Sequence, residues 1–274
     1  MPEKTERTGT ASLAVFCDFE NIAIGVRESR YSDFDISRVL ERLLLKGAIV
    51  VKKAYCDWDR YKDFKKTMHE AAFELIEIPH VRQSGKNSAD IRMVVDALDL
   101  CYTKPHVNTF AVMSGDSDFS PLVTKLRENN KTVIGVGVKN STSDLFTSAC
   151  EEFIFYDDLV REHEKRVKSR RKPPVRHKAA VPKGEADAED RKQKVFDMVL
   201  DTLELLWDER GEDDDIWGSM VKQALKRRQP GFNETYYGFR GFNELLRTME
   251  KDGLLELEAD ERSGGYIIRD VRSA

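Results

Sequence analysis

Residues 13–158 alternate short apolar runs with amphipathic segments, and this alternation restricts the fold more than any other feature of the chain. The apolar runs predict strands, and the segments between them have the apolar spacing of helices. Strands that alternate with helices build a mostly parallel sheet with helices on both faces. The sequence therefore predicts an α/β domain over residues 11–160. Strands are predicted at residues 13–17, 48–55, 74–78, 110–113, 132–138 and 153–156, and helices at 36–46, 61–72, 88–101, 119–128 and 143–149.

The composition limits the compartment and the class of partner. With 274 residues and a net charge of -4, the chain is long enough for one or two domains and is not basic as a whole. Its four cysteines are far apart and form no C-x-x-C pair, which favours reduced thiols in a cytoplasmic protein without a zinc site. A polar stretch from Met1 to Thr10 and the lack of long apolar runs argue against a signal peptide and a membrane span.

Two aspartates follow the fourth predicted strand. The apolar run Phe110–Met113 ends at the turn residues Ser114 and Gly115, and Asp116 and Asp118 come before the next helix. Open α/β sheets bind ligands beyond the carboxyl ends of their strands. Neighbouring carboxylates repel each other unless a cation or a proton lies between them, which indicates a site for Mg2+ or Mn2+. The structural alternative is that both aspartates only cap the turn and the helix.

Further polar residues lie where other predicted elements begin or end. Asp18 follows the first strand, Asn21 comes three residues later, and Asp90 lies near the start of the helix at 88–101. A capped loop and the helix dipole would also explain these positions. Asp96 interrupts the apolar face of that helix and, if buried, needs a partner, so it either serves the site or holds a backbone amide behind it. That face is predicted from Ile91, Val94, Val95, Leu98 and Cys101.

Carboxylates from three parts of the chain suggest one chemistry. Asp18, Asp90, Asp116 and Asp118 around one or two Mg2+ or Mn2+ ions suit phosphodiester hydrolysis, because the metal activates a water molecule and clamps the phosphate. The sequence offers no other catalytic set. Its histidines lack ligand spacing, and neither a serine elbow nor a phosphate-binding glycine loop occurs.

The rest of the chain divides into a basic segment and a second domain. Residues 161–183 hold ten Lys or Arg against two Glu, and Pro173, Pro174 and Pro182 prevent a long helix. Residues 161–189 are therefore predicted to be a basic flexible linker, either a solvated spacer or an arm that contacts phosphates. Residues 190–270 hold predicted helices at 191–208, 216–228 and 242–252 and strands at 254–257 and 266–268. This order is typical of a small winged-helix α+β domain.

Three blocks of the first domain resemble the signature blocks of the NYN family, a branch of the PIN-like nucleases that includes LabA-type bacterial proteins. They are Cys17–Ile22, Lys86–Leu98 and Ser114–Leu122, in the family order. The resemblance implies a PIN-like Rossmannoid sheet, Mg2+ or Mn2+, and ribonuclease activity. In the first block Glu20 precedes Asn21 where many members have a smaller residue, so Glu20 either adds a carboxylate or faces solvent. The family's catalytic, metal-binding acids correspond to Asp18, Asp90, Asp116 and Asp118, and its supporting polar residues to Asn21, Asp96 and Ser114.

The second domain resembles an OST-HTH or LOTUS winged helix through the stretch Tyr236–Leu246 and the hairpin at 254–268. This resemblance implies RNA binding, with a protein-partner role known elsewhere in that family. The aromatic residues of the domain serve either RNA stacking or the core. The predicted RNA-binding side chains are Lys222, Lys226, Arg227, Arg228, Arg240 and Arg247, with Tyr236, Tyr237 and Phe239 for stacking.

These features predict a cytoplasmic, metal-dependent ribonuclease that acts on single-stranded or structured RNA. Two alternatives stay open. One is a non-catalytic RNA-binding regulator, and the other is a structure-specific DNA nuclease, because flap nucleases share this site chemistry. A protein partner at the LOTUS-like domain and a homodimer are also open, and no membrane partner is expected.

Overall fold

The structure is a computed structural model that describes residues 11–31, 33–78, 88–170, 183–210, 214–260 and 264–271. The chain separates into two compact units, residues 1–173 and 174–274. Among the helices in these ranges, none combines the length and the apolar character that a membrane span needs.

The first unit is built on one sheet. Its six strands are β1 (Ala11–Asp18), β2 (Gly47–Cys56), β3 (Glu74–Glu77), β4 (Thr109–Met113), β5 (Thr132–Gly137) and β6 (Glu152–Phe155). They lie in the order β3-β2-β1-β4-β5-β6, and each neighbouring pair is parallel. The predicted α/β fold of this unit is therefore confirmed.

Helices cover both faces of the sheet. They are α1 (Phe19–Glu28), α2 (Ile36–Lys46), α3 (Lys62–Glu70), α4 (Ser88–Thr103), α5 (Ser120–Glu128), α6 (Asp144–Ala149) and α7 (Tyr156–Arg170). Alternate side chains of a strand point to opposite faces, and β1 shows this directly. Leu13, Val15 and Cys17 pack in the core layer under α1, α2 and α3, whereas Ala14 and Phe16 pack under α4, α5 and α6.

The helix α1 was absent from the sequence-based prediction, which has no helix between residues 18 and 36. Its segment contains Ile22, Ile24, Gly25 and Val26, all of which have low helix propensity. Asp18 nevertheless caps the helix, because its side chain accepts a hydrogen bond from the backbone N–H of Asn21. Burial of one apolar side against the sheet then outweighs the poor propensity.

The helix α4 presents a different side to the sheet from the predicted one. Met93, Ala97 and Cys101 are buried, whereas Ile91 and Val95 are 62% and 56% exposed. The predicted buried face of α4 was thus wrong in part. The prediction chose the large apolar residues Ile91 and Val95 as buried and did not include the small Ala97. Ala97 allows the helix to approach the sheet closely, and Asp96 fixes the rotation of the helix through partners on β2 described below.

The second unit combines helices with a small antiparallel sheet. Its elements are α8 (Lys183–Arg210), β7 (Ile216–Trp217), α9 (Gly218–Arg228), α10 (Phe242–Lys251), β8 (Leu255–Asp260) and β9 (Gly265–Val271). The sheet order is β7-β9-β8. Ile216 and Trp217 were predicted to open a helix, but they form a strand that pairs with Ile268 and Ile267. Strand pairing therefore decides the conformation of this apolar dipeptide.

The predicted linker at 161–189 is helical at both ends. Helix α7 continues to Arg170 and helix α8 begins at Lys183, so neither helix contains the prolines at 173, 174 and 182. Residues 171–182 lie outside the described residues. Helix α7 begins inside the first unit and continues into the basic segment. The first part of the basic segment, residues 161–170, is therefore part of a helix of the first unit.

Candidate functional site

The strand order of the first unit reverses between β1 and β4. In an open α/β sheet such a switch point opens a crevice at the carboxyl ends of the strands, because the two following connections run to opposite sides. Asp18 is the last residue of β1, and Ser114, Gly115 and Asp116 directly follow β4. The fold therefore brings the first and third candidate blocks of the sequence to one place.

Asp18 is buried, with 8% of its surface exposed. It accepts a hydrogen bond from the backbone N–H of Asn21 at 3.3 Å and another from the Ser114 hydroxyl at 3.0 Å. Burial and the charge of Asp90 raise the pKa of Asp18 to about 7, although both hydrogen bonds oppose this rise. The site therefore holds this carboxylate at a free-energy cost that a nearby cation would remove.

Ser114 and Asn21 connect the ends of β1 and β4. The Ser114 hydroxyl donates to Asp18 and accepts from the backbone N–H of Asp116 at 3.2 Å. The side-chain oxygen of Asn21 accepts from the backbone N–H of Gly115 at 2.8 Å. A Cβ atom on Gly115 would lie 2.1 Å from the carbonyl oxygen of Ser141, so only glycine fits this position. Two of the three polar residues predicted to support the site, Asn21 and Ser114, are therefore in contact with it.

Asp90 and Asp116 face the same cavity as Asp18. The cavity has a volume of about 440 Å³, and its lining includes Asp18, Asn21, Asp90 and Asp116. Asp90 lies in the first turn of α4, whereas one oxygen of Asp116 accepts from the backbone N–H of Asp118 at 2.9 Å. Partial burial raises the pKa of Asp90 to about 6, with further contributions from the charges of Asp116, Asp118 and Glu20. These carboxylates are thus close enough to repel one another.

The cavity also contains charged side chains that were not predicted to belong to it. Asp57 and Arg60 follow β2 and line it, and Glu20 lines it from α1. Glu20 therefore adds a carboxylate, which the sequence left open. Asp57 had nearly the same signal as Asp18, since it lies two residues after a predicted strand. Asp57 reaches the cavity only because β2 lies beside β1 in the sheet, and the sequence does not show the order of the strands.

Asp118 lies apart from the cavity. It is exposed and lines a separate recess with Ser117, Pro121 and Leu145 among others. Its charge still contributes to the raised pKa of Asp90, so it belongs to the electrostatic surroundings of the site. Its role as a direct metal ligand stays a prediction.

Asp96 does bind a buried partner, but away from the cavity. Its carboxylate accepts from the Tyr55 hydroxyl at 2.9 Å and from Lys53 Nζ at 3.1 Å, and it pairs with Arg92 Nε at 3.1 Å. Burial by itself would raise the pKa of Asp96, but these hydrogen bonds and cations hold it below its usual value. Its contacts join α4 to β2, which favours a structural role over support of a metal ligand.

The side chains predicted to bind RNA in the second unit do not share one surface. Lys226 and Arg240 are exposed, but Arg227 and Arg228 are half-buried, and Arg228 donates to Thr202 at 2.9 Å. Lys222 is paired with Glu234 at 2.8 Å. The reason is the helical period of α9, which turns positions 227 and 228 away from the side that carries 222 and 226.

The aromatic residues predicted to stack on RNA also differ in their exposure to solvent. Phe239 is buried and packs against Phe196, so its contacts favour the core over stacking on RNA. Tyr237 stacks on Phe232 at 5.9 Å, whereas Tyr236 is 64% exposed. A cleft of about 510 Å³ lies at the first turns of α9 and α10 and is lined by Lys222.

The donor chemistry of the first-unit cavity fits a hard divalent cation. Carboxylate oxygens are the ligands that Mg2+ and Mn2+ prefer, and burial together with the charges of neighbouring acids raises the pKa of Asp18 and of Asp90, which a bound cation would oppose. Within the described part of the chain, no three His, Cys, Asp or Glu side chains converge closely enough to hold a metal among themselves. Mg2+ commonly uses one or two carboxylates and completes its shell with water and substrate phosphate, so the cavity suits a cation held by few direct ligands.

A comparison with protein families agrees with this geometry. The model of the NYN domain matches residues 12–157, which is more than half of the chain. This chain belongs to the NYN family. NYN domains belong to the PIN-like nuclease superfamily, which suggests hydrolase activity, and these nucleases usually use divalent metals.

Two other proteins resemble this NYN chain. An uncharacterized protein of Methanocaldococcus jannaschii is 21% identical over 188 residues, which cover 69% of this chain and 73% of that protein. The crystal structure of a protein of unknown function from Vibrio parahaemolyticus aligns with a TM-score of 0.49 and 25% identity, over 58% of this chain and 98% of that one.

Proposed function

We propose that this NYN chain is a Mg2+- or Mn2+-dependent ribonuclease that hydrolyses RNA phosphodiester bonds. The observation that carries the proposal is the cavity at the switch point, which Asp18, Asp90 and Asp116 line. A divalent cation bound there would lower the pKa of a water molecule and neutralise charge on the phosphate. One or two of Asp18, Asp90 and Asp116 would bind the cation directly and the rest through water, and Asp118 is retained as a further candidate ligand.

The remaining residues of the site keep these carboxylates in place. Ser114 orients Asp18 and the backbone of Asp116, and Asn21 holds the backbone of Gly115. These hydrogen bonds fix the orientation of the carboxylates, which favours a preorganised site.

We further propose that the second unit is a winged-helix domain of the OST-HTH or LOTUS type that binds RNA. Its helices α8, α9 and α10 and its antiparallel sheet follow the order expected of such domains. Exposed Lys226, Arg240 and Tyr236 offer cations and a stacking surface. A protein partner at this unit is the alternative.

The decisive experiment compares cleavage of RNA and DNA oligonucleotides by the full chain with Mn2+, Mg2+ or EDTA. Asp116→Asn should lower RNA cleavage at least about a hundredfold without unfolding the protein, because it weakens a catalytic metal site. Asp99→Asn is the matched control, since Asp99 lies on α4 but is exposed. Equal cleavage by Asp116→Asn and the unmodified protein would contradict the assignment. RNA binding without any cleavage would indicate a non-catalytic regulator, and cleavage of DNA alone would indicate a DNA nuclease.

A further inference from the structure

The charge of the cavity poses a problem for an anionic substrate. Its described lining includes the carboxylates of Asp18, Glu20, Asp57, Asp90 and Asp116. One divalent cation offsets only part of this charge, and a phosphodiester brings one more negative charge to the same place. Of the described residues that line the cavity, Arg60 alone carries a positive charge.

Arg60 lies where its guanidinium can bind a phosphate of the substrate. Its backbone N–H donates to the Asp57 carbonyl at 3.1 Å, which fixes a turn after β2, and its guanidinium Nη1 lies 3.1 Å from Glu20 Oε1. The two side chains of this pair are 52% and 36% exposed. An ion pair this exposed contributes little to stability, so the guanidinium can leave Glu20 for a better partner. A phosphate is such a partner, because it accepts two parallel hydrogen bonds from arginine.

Positive charge continues from Arg60 onto α3. Lys62 and Lys65 lie in the first turn and the next part of this helix, with side chains that are 68% and 37% exposed. Each Nζ is 3.7 Å from the same Asp59 oxygen, near the limit of an ion pair. Neither lysine therefore forms a close ion pair with Asp59. We call Arg60, Lys62 and Lys65 the α3 strip.

Resting on the proposed ribonuclease function, we infer that a single RNA strand crosses the α3 strip as it enters the cavity. In this arrangement Arg60 binds a backbone phosphate at the mouth of the cavity, and Lys62 and Lys65 bind the phosphates that follow. The contacts are to phosphates, so they position the strand and do not select its sequence.

The first test separates a substrate contact from a structural ion pair. Arg60→Gln and Glu20→Gln both break the pair at the cavity rim, but only the first removes the cation. We expect Arg60→Gln to raise the KM for a single-stranded RNA about tenfold with a smaller change in kcat, because a charge-assisted hydrogen bond is lost. Glu20→Gln should lower KM, because it frees Arg60 and removes repulsion. Arg60→Lys should raise KM less than Arg60→Gln does, since lysine keeps the positive charge but cannot donate two parallel hydrogen bonds to one phosphate.

The second test measures binding without cleavage. RNA binding to full-length protein with Asp116→Asn is followed by fluorescence anisotropy over a KCl series. Arg60→Gln should reduce the salt slope by about 0.7, and Lys62→Gln with Lys65→Gln by about 1.4, because fewer counterions are released from a single strand. Lys104→Gln is the control, since Lys104 is exposed in the connection between α4 and β4, at the amino ends of the strands.

The outcomes separate this inference from the proposed function. Equal increases in KM from Arg60→Gln and Glu20→Gln, or an unchanged KM and salt slope in Arg60→Gln, would overturn the inference while RNA cleavage itself stands. A protein that cuts no RNA, but whose RNA binding is weakened by Arg60→Gln and not by Lys104→Gln, would support the α3 strip and refute the ribonuclease.

Discussion

The pKa of Asp18 differs between the folded and the unfolded protein, and this difference makes the stability of the fold depend on pH. Burial and the charge of Asp90 raise its pKa from 3.8 to about 7, against the hydrogen bonds from Ser114 and Asn21. The folded state therefore binds this proton more tightly than the unfolded state does. Stability from this group is fully present below about pH 4 and is lost as the pH rises through about 7.

Replacing Asp18 by Asn should consequently stabilise the metal-free protein at pH 8. The gain is at most about 4 kcal/mol, less the cost of a weakened hydrogen bond to Ser114, and it should fade towards pH 4. Thermal unfolding in EDTA from pH 4 to 8 measures it. Mn2+ should raise the melting temperature of the unmodified protein at pH 8 and not that of Asp18→Asn. A variant that is less stable at every pH would show that Asp18 is mainly a structural cap.

Asp96→Asn is expected to affect stability and not catalysis. The substitution removes the carboxylate that accepts from the Tyr55 hydroxyl and from Lys53, which costs about 1–3 kcal/mol of unfolding free energy. Urea unfolding and Mn2+ titration of the same preparation measure both properties. A drop in Mn2+ affinity of about tenfold with unchanged stability would return Asp96 to a role behind the metal ligands.

At the scale of elements, the orientation of α4 can be tested by packing. Ala97→Leu places extra atoms between α4 and the sheet and should cost about 1–3 kcal/mol. Ile91→Ser, on the exposed side, should change stability by less than about 0.5 kcal/mol. Denaturant unfolding of the two variants measures these costs. The reverse order of costs would mean that the apolar face predicted from the sequence is the buried one.

Local patterns identified the elements whose apolar spacing is clear. Helix α2 was predicted at its observed bounds from the helical spacing of its apolar residues, and in the structure Asp35 caps it by accepting from the Ser37 backbone N–H. Helix α1 was not predicted, since its β-branched residues and glycine oppose a helix, whereas burial and the Asp18 cap favour it. Local signals fail where packing against the sheet decides the outcome.

The candidate site was predictable to the extent that its residues lie at element ends. Asp18, Asp90 and Asp116 do, and the fold brings them to one cavity. Asp57 and Arg60 escaped prediction because their place depends on β2 pairing with β1. The separation of Asp118 from the cavity depends on the 3-10 helix Ser117–Phe119, whose geometry is not encoded in residue spacing alone.

At the scale of the molecule, the division at residue 173 suggests that the first unit can work alone. A fragment of residues 1–173 should fold and cleave RNA, but bind it more weakly and with a shallower salt dependence, because the second unit and three cations between residues 174 and 183 are removed. Circular dichroism, cleavage and a KCl series measure this. Equal affinity and slope for the fragment and the full chain would point to protein docking by the second unit.

A shorter fragment should fail, which fixes where the first unit ends. Tyr156 and Leu159 of α7 are buried in the core, and Asp157 accepts from the Tyr31 hydroxyl at 3.0 Å and the Lys139 backbone N–H at 2.8 Å. A fragment that stops at residue 155 lacks all of these contacts. It should show no cooperative unfolding transition.

The four native thiols have a practical consequence for observing single molecules. Cys17, Cys56 and Cys101 are buried, Cys150 is partly exposed, and burial raises the pKa of each. Because only the thiolate reacts, maleimide dyes should attach to them slowly. A cysteine introduced at exposed Lys104 would then be the preferred attachment point, at the amino ends of the strands. A dye or surface tether placed there leaves the carboxyl ends of the strands, where the cavity lies, unobstructed.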